Sequence, residues 1–343
     1  MAAQAPVAIP TRQLGRRGPA VTVLGFGGAP LGDLYAPLDD AAAIDTVLAA
    51  LDAGIRLVDT SPLYGRGLSE HRIGTALRRR AGAMVVLSTK VGRVLAPAPQ
   101  GVTRNEGYAG GLPHEARFDY SHDGALRSLE QSMLRLGVAS VDIALVHDVD
   151  PWTHGDDAPR RQREALVGAL RALADLRAQN VVRAIGIGVN DADVAEHFVR
   201  EADLDCVLLA GRYSLLEQPA LDRFLPLALE RGVGVMLGGV FNSGILATGA
   251  VAGARYNYRP APPDVAARVA AIERVCAAHG VALPHAALAF VLGHPAVSSV
   301  VLGAVSPDEV RRNVEAFAAP VPASLWRDLK AARLLRHDAP MPA

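Results

Sequence analysis

Cysteine is nearly absent. The chain has two in 343 residues, Cys206 and Cys276, far outside any Cys-x-x-Cys spacing. That excludes a disulfide scaffold and a thiolate metal cluster, and it suits a reducing compartment. No apolar run reaches the roughly 20 residues a membrane-spanning helix needs. Met1 to Pro10 lacks the basic start and apolar stretch of an export signal. The expected address is therefore the cytoplasm. An excess of either charge is missing too: 35 basic residues balance 35 acidic ones. Such a surface has no basic footprint for nucleic acid, so neither nucleic acid nor membrane is expected as a partner. Nothing in the sequence specifies an oligomer. Arg78-Arg79-Arg80 reads as a solvated helix end, where cations suit the dipole. The ten histidines show no metal-ligand spacing, and no metal is expected. Aromatics make up only 5% while half the chain is apolar, so Ala, Val and Leu must fill a sizeable core.

What is present is a switch of hydrophobic period between two and 3.6, repeated along the chain. Asp39 caps a helix with Ile44, Val47, Leu48 and Leu51 on one face and Gly54 as its stop. The remaining pattern predicts strands at Val23–Phe26, Ile55–Asp59, Met84–Thr89, Val141–Val146, Val181–Gly188, Leu204–Leu209, Val233–Leu237 and Ser298–Leu302. Helices are predicted at Ser69–Arg80 (polar, with Ser69 as N-cap), Asp123–Leu136 and Arg160–Gln179. Others are expected from Asp191, over 217–231 and 264–279, and from Ser306. Strict β–α alternation implies parallel strands with right-handed crossovers. Eight such units predict an α/β fold, a (β/α)8 TIM barrel, as one domain spanning 1–343. Segments around Leu14 and Val21, with Gly18 between them, predict a hairpin that plugs the barrel's bottom. Helices at Pro284–Gly293 and from Ser324 are read as two additions to the eightfold repeat. The long stretches Val91–His122 and Gly238–Pro263 both follow the C-terminal end of a strand. That is the barrel face on which active sites are built, so both are read as lid or substrate loops.

Polar residues at consecutive strand ends form an unusual set. Asp59 ends the second strand and Tyr64 follows it, Lys90 follows the third and His147 the fourth. An acid, a phenol, an ammonium and an imidazole should therefore meet at one mouth of the barrel. A free phenol, with a pKa of about 10, is a poor base at neutral pH. A neighbouring ammonium favours the phenolate. Lys90 can supply it, held in place by Asp59, while His147 orients a substrate oxygen and Tyr64 exchanges the proton. A hydride acceptor must then be a cofactor.

On these four residues, with their flanking Asp59-Thr60 and Thr89-Lys90, the sequence resembles the aldo-keto reductase superfamily. The resemblance runs from Leu24-Gly25-Phe26-Gly27-Gly28 to Asn313. Within it, the chain looks like the branch of D-threo-aldose 1-dehydrogenases and L-fucose dehydrogenases, which includes a pyridoxal 4-dehydrogenase subgroup. The closer match lies in Arg117-Phe118-Asp119-Tyr120-Ser121, His147-Asp148-Val149-Asp150, Gly186-Ile187-Gly188-Val189-Asn190 and Tyr256-Asn257-Tyr258.

The resemblance implies a nicotinamide cofactor. Asn190 matches the residue that holds the nicotinamide amide, Gly27 and Gly28 lie near its ribose, and Phe241, Asn242 and Ser243 cradle the pyrophosphate. Asn313 and the start of the helix at Ser306 lie by the adenosine. Two positions depart from the family pattern: Ala210 replaces the usual Gln, and Gly238 or Gly239 replaces the stacking aromatic. Gly303 and Glu309 stand where NADP-users carry basic residues, which implies NAD. Arg311 and Arg312 lie close enough to keep NADP possible. A Rossmann site is a poor alternative, because Gly25-Phe26-Gly27-Gly28 lacks the third glycine and an immediate helix.

The resemblance implies oxidation of the C1 hydroxyl of an aldopyranose of the L-fucose, D-arabinose or L-galactose type, giving a lactone. Candidate sugar ligands are Asp148, His154 and Asn257, with Trp152 as a stacking platform. Pyridoxal oxidation and NADPH-dependent aldehyde or ketone reduction are the alternatives. A non-catalytic nucleotide-binding subunit is disfavoured by the intact set of four.

Overall fold

The computed structural model describes residues 8–99 and 107–342. Met1 to Val7, and 100–106 of the first long loop, lie outside the described residues. Eight parallel strands close into a barrel: Leu24–Gly27, Leu57–Asp59, Val86–Val91, Ile143–His147, Ala184–Val189, Cys206–Ala210, Gly234–Gly238 and Val297–Gly303. Sequence neighbours are barrel neighbours, and the eighth strand closes on the first with Val300 opposite Leu24. Among the described residues no single helix is long and apolar enough to cross a membrane.

Seven of the eight strands begin one to three residues later than the hydrophobic runs suggested. For the runs that open at Ile55, Val181 and Val233 the reason lies in how the preceding helix ends. Gly54, Gly137 and Gly232 adopt left-handed φ values of 91°, 68° and 65°. The next residue then donates its N–H back into the helix: Ile55 to Ala50, Val138 to Met133 and Val233 to Ala228. These are Schellman closures. Val181 does the same to Leu176. Ile55 and Val233 are buried where they close a helix end and do not join the ladder. The shift matters for the site, since it places Lys90 and His147 inside their strands.

Three helices correct their expected form. Leu68–Arg79 begins at Gly67 without a side-chain cap, and Ser69 and Glu70 are fully buried. Ser69 instead donates Oγ–H to the Gly28 carbonyl at 2.7 Å, pinning the helix to the first strand's loop. The helix expected over Arg160–Gln179 is interrupted by a π turn at Ala165–Ala169, where the Ala169 N–H donates to the Tyr120 carbonyl at 2.9 Å. Finally, Leu283–Leu292 is not an addition. It is apolar nearly all round, with six residues buried, and it packs on the eighth strand. The outer additions are Pro263–Ala278, which buries only Val269, Ile272 and Cys276, and Ala323–Ala331 against which it packs.

The predicted hairpin forms from Thr11–Gln13 and Ala20–Thr22. Leu14 and Val21 are fully buried in one cluster with Leu57, Ile143, Leu145, Cys206 and Met236, which closes the barrel's lower end. Gly15 makes the turn at φ 63°; a Cβ there would lie 2.4 Å from the Asp205 carbonyl oxygen.

Candidate active site

Strand alternation builds the upper layer. Leu57 faces the interior, so Asp59 does too. Ser88 and Lys90 share a face on the third strand, as do Leu145 and His147 on the fourth. Registers of Asp59 with Ser88, and Lys90 with Leu145, bring these side chains to one level. Tyr64 arrives from the loop after the second strand.

The four predicted residues meet. Lys90 Nζ donates to Asp59 Oδ2 at 2.6 Å, to the Thr60 carbonyl at 2.8 Å and to Tyr64 Oη at 3.1 Å. An ammonium has three N–H bonds, and all three are spent. Asp59 takes a further bond from Ser88 Oγ at 2.8 Å. Because Tyr64 Oη accepts from Lys90, its own O–H is free for a substrate oxygen. The His147 ring packs edge-on to Tyr64, with centroids 6.0 Å apart.

The electrostatics differ from the expectation in one respect. The Tyr64 phenol is held well above its ordinary pKa by burial and by the carboxylates of Asp59 and Asp148. Lys90, already paired with Asp59, does not overcome this. The resting phenol keeps its proton. His147 is held well below the ordinary imidazole value by burial and by the cations Arg93 and Lys90, so it stays neutral.

Sequence reasoning missed Arg93. Its side chain is 6% exposed and donates Nη2 to Asp148 Oδ2 at 2.8 Å. Nη1 reaches His147 Nδ1 at 3.1 Å, and the guanidinium lies over Phe118, 4.6 Å from its centroid. The signal was Gly92 immediately before it. At φ 104°, with the Tyr120 ring 2.4 Å from where a Cβ would sit, Gly92 turns the chain back over the barrel mouth. Ser61 and Tyr108 were also missed. Ser61 Oγ stands 3.1 Å from His147 Nδ1, and Tyr108 packs 6.2 Å from Tyr64.

A cavity of about 820 Å³ opens beside Tyr64 and extends to the helix Pro307–Ala318. Gly27, Asn190, Phe241, Asn242, Ser243, Gly303, Glu309 and Asn313 all line it, as do Ala210, Gly238 and Gly239. Gly28 lies behind the wall, its N–H on the Asp59 carbonyl and its Cα against Ser69 and Ile73. Glycines along one continuous trough leave room for an extended ligand, and the trough fits a dinucleotide. The helix Pro307–Ala318 is capped at its start: Ser306 Oγ accepts from Glu309 N at 3.3 Å, and Glu309 Oε2 accepts from Val305 N at 2.9 Å.

The expected sugar ligands divide. Trp152 and Asn257 line the cavity. Asp148 is engaged by Arg93 and, at 3.3 Å, by Asn190 Nδ2. Asn242, expected at the pyrophosphate, is tied to Ser214 and Glu217. His154 is turned away, its Nε2 on Tyr120 Oη at 2.9 Å and its ring 4.4 Å from Phe118. Tyr258, from the second long loop, also lines the cavity. The mouth is thus more aromatic than the sequence suggested.

The aldo/keto reductase family profile matches residues 23–333. A pyridoxal 4-dehydrogenase of Microbacterium luteolum is 42% identical over 335 residues, covering 94% of this chain and 97% of its own length. A D-threo-aldose 1-dehydrogenase of a Pseudomonas species is 40% identical, covering 93% of this chain and 96% of its own. An aldo-keto reductase of Bacillus halodurans, solved in its holo form, aligns with a TM-score of 0.72 at 25% identity over 96% of this chain and 97% of that one.

Proposed function

Since the chain belongs to the aldo/keto reductase family, we propose that it is an NAD-dependent dehydrogenase that oxidises the ring hemiacetal carbon of a small polyhydroxylated substrate to a lactone. An aldopyranose of the L-fucose, D-arabinose or L-galactose type is the first candidate. The observation that carries this reading is the Tyr64 hydroxyl, held by Lys90 and flanked by neutral His147 at the end of a dinucleotide-sized trough.

A cyclic hemiacetal suits this site because one carbon bears both a C–H and an O–H. In oxidation Tyr64 first loses its own proton to solvent; the phenolate, its charge shared with Lys90, then takes the hydroxyl proton and becomes neutral as the carbonyl forms. His147 fixes the same oxygen. A bound nicotinamide supplies hydride acceptance, which no side chain can do. Asn190, Gly27, Phe241 and Ser243 would hold it at the Tyr64 end and along the trough, and Asn313 at the far end. Trp152 and Tyr258 offer flat faces to the ring's C–H surface.

The NAD preference rests on Glu309. Its carboxylate lines the cavity where a 2′-phosphate would add negative charge, while ribose hydroxyls can donate to it. Arg312, also on the wall, keeps NADP as the competing cofactor.

Pyridoxal is the second reading. It closes through its neighbouring hydroxymethyl group to the same kind of hemiacetal. The aromatic lining of Tyr64, Tyr258 and Trp152, with Tyr108 packed against Tyr64, and the 42% identity to a pyridoxal 4-dehydrogenase, favour it. Assays of L-fucose, D-arabinose, L-galactose and pyridoxal, each with NAD and NADP, decide between them. NADH release with a sugar supports the first reading, and with pyridoxal alone the second. Reduction of aldehydes with NADPH as the sole activity defeats both.

A further inference from the structure

We infer that Arg93 is a positioning residue that sets the proton of His147 on Nε2, and so makes this imidazole a hydrogen-bond donor toward the substrate oxygen. The inference rests on the proposed dehydrogenase reading for the reaction, but its geometry stands alone.

Three polar groups face the ring nitrogens. Arg93 Nη1 lies 3.1 Å from His147 Nδ1, and Ser61 Oγ lies 3.1 Å from the same nitrogen. Asp148 Oδ2 lies 3.4 Å from Nε2. A hydroxyl can donate or accept, so Ser61 alone leaves the tautomer open. A guanidinium carries donors only. Beside Arg93, Nδ1 must therefore present its lone pair, and in a neutral ring the proton sits on Nε2. Ser61 then follows: its Oγ already accepts from the Leu63 N–H at 3.1 Å, and its own hydrogen points to Nδ1.

The same guanidinium controls the competitor for that proton. Without Arg93, Asp148 would be a carboxylate next to Nε2, able to capture the N–H or draw a second proton onto the ring. Arg93 Nη2 holds Asp148 Oδ2 at 2.8 Å, leaving it 3.4 Å from Nε2, beyond the usual N–H···O range. Burial and the nearby cations Arg93 and Lys90 keep the ring neutral, which the tautomer argument requires. Asp148 Oδ1 meanwhile receives Asn190 Nδ2 at 3.3 Å. That leaves the Asn190 carbonyl oxygen available to the trough. One buried arginine thus arranges both the imidazole and, through Asp148, the amide of Asn190.

The test uses full-length protein labelled with ¹⁵N-histidine, the His147 signals being assigned by their loss in His147→Gln. Wild type should show a lone-pair Nδ1 and a protonated Nε2 at neutral pH. In Arg93→Met, Asp148 keeps the Nε2 proton, so Nδ1 should gain its own by forming imidazolium at neutral pH. Its kcat should fall by about 10²-fold, the scale of losing one preorganised donor at a developing charge. Arg93→Met leaves Asp148 without its cation, so Arg93→Met/Asp148→Asn is the paired variant should the single one not fold. There Ser61 alone faces Nδ1, and a mixture of Nδ1–H and Nε2–H forms is expected in place of the single wild-type tautomer. Arg93→Lys, still a donor-only cation, should keep the wild-type tautomer and at least ten times the kcat of the Met variant. An unchanged lone pair on Nδ1 in the folded Met variants overturns the inference, as does a Lys variant as impaired as Met. Both readouts concern His147, so loss of all sugar oxidation in wild type would count against the proposed substrate while leaving the tautomer result standing.

Discussion

The two ends of one barrel are built on opposite principles. At the lower end, Leu14, Val21, Leu57, Ile143 and Met236 interlock without a charge among them. At the upper end, one turn of side chains away, Asp59 and Lys90 are buried at 3% and 1% exposure, with Arg93, Asp148 and His147 close by. Burial of apolar surface stabilises at about 25 cal/mol per Å². A buried ion pair is weak evidence of stability, because desolvation offsets much of its attraction. The difference teaches where each end acts. The lower layer holds the fold, and the upper layer, on the proposed function, spends stability on placing a proton.

The strongest blow to this contrast comes from the top. Tyr64→Phe should lower turnover by about 10²–10⁴-fold, with little change in melting temperature and with NAD binding retained. Steady-state kinetics and a cofactor titration check it. Retention of more than a tenth of wild-type kcat removes Tyr64 from acid–base work.

The mirror experiment is at the bottom. Leu14→Ala should cost about 2–5 kcal/mol in urea denaturation, with kcat unchanged at temperatures where the variant is folded. A matching loss of kcat would show that the plug and the site are coupled.

A pH profile sharpens the comparison further. Burial, Asp59 and Asp148 raise the Tyr64 pKa, so near neutrality the phenol is protonated. Oxidation needs the deprotonated form and reduction the protonated one. The kcat/KM for oxidation should rise up to about tenfold per pH unit from pH 7 toward 10, while reduction stays flat there. Leu14→Ala should leave both profiles unmoved. A bell centred near pH 6 in the oxidation direction would place control on another group.

The smallest effect is expected at the far end of the trough. Glu309→Arg, alone or with Gly303→Lys, should shift the ratio of NAD to NADP efficiency toward NADP by about tenfold, or about 1.4 kcal/mol. Wild-type preference for NADP by tenfold or more would refute the role given to Glu309.

Much of this was legible in the sequence because it is local. The period switch marked eight strands, and Asp59, Tyr64, Lys90 and His147 declared themselves by falling at successive strand ends. What was hidden is non-local. Sequence shows that Asp148, Asn242 and His154 lie near the mouth, but not that Arg93, Ser214 and Tyr120 already satisfy them. Arg93 pairs with a histidine 54 positions away, through a turn that only Gly92 announces. The helix at Leu283–Leu292 was read as an addition because it breaks the simple alternation. Only its packing on the eighth strand shows that it belongs to the barrel.

The central claim is that hydride leaves a ring carbon whose hydroxyl faces Tyr64. It is tested most directly with an aldose of the L-fucose type bearing deuterium at C1, oxidised in the presence of NAD. The account predicts deuterium in the reduced nicotinamide, a lactone as the first product and a slower turnover than with the unlabelled sugar. NADH that carries no deuterium would contradict it, as would the absence of any oxidation while NADPH still reduces simple aldehydes.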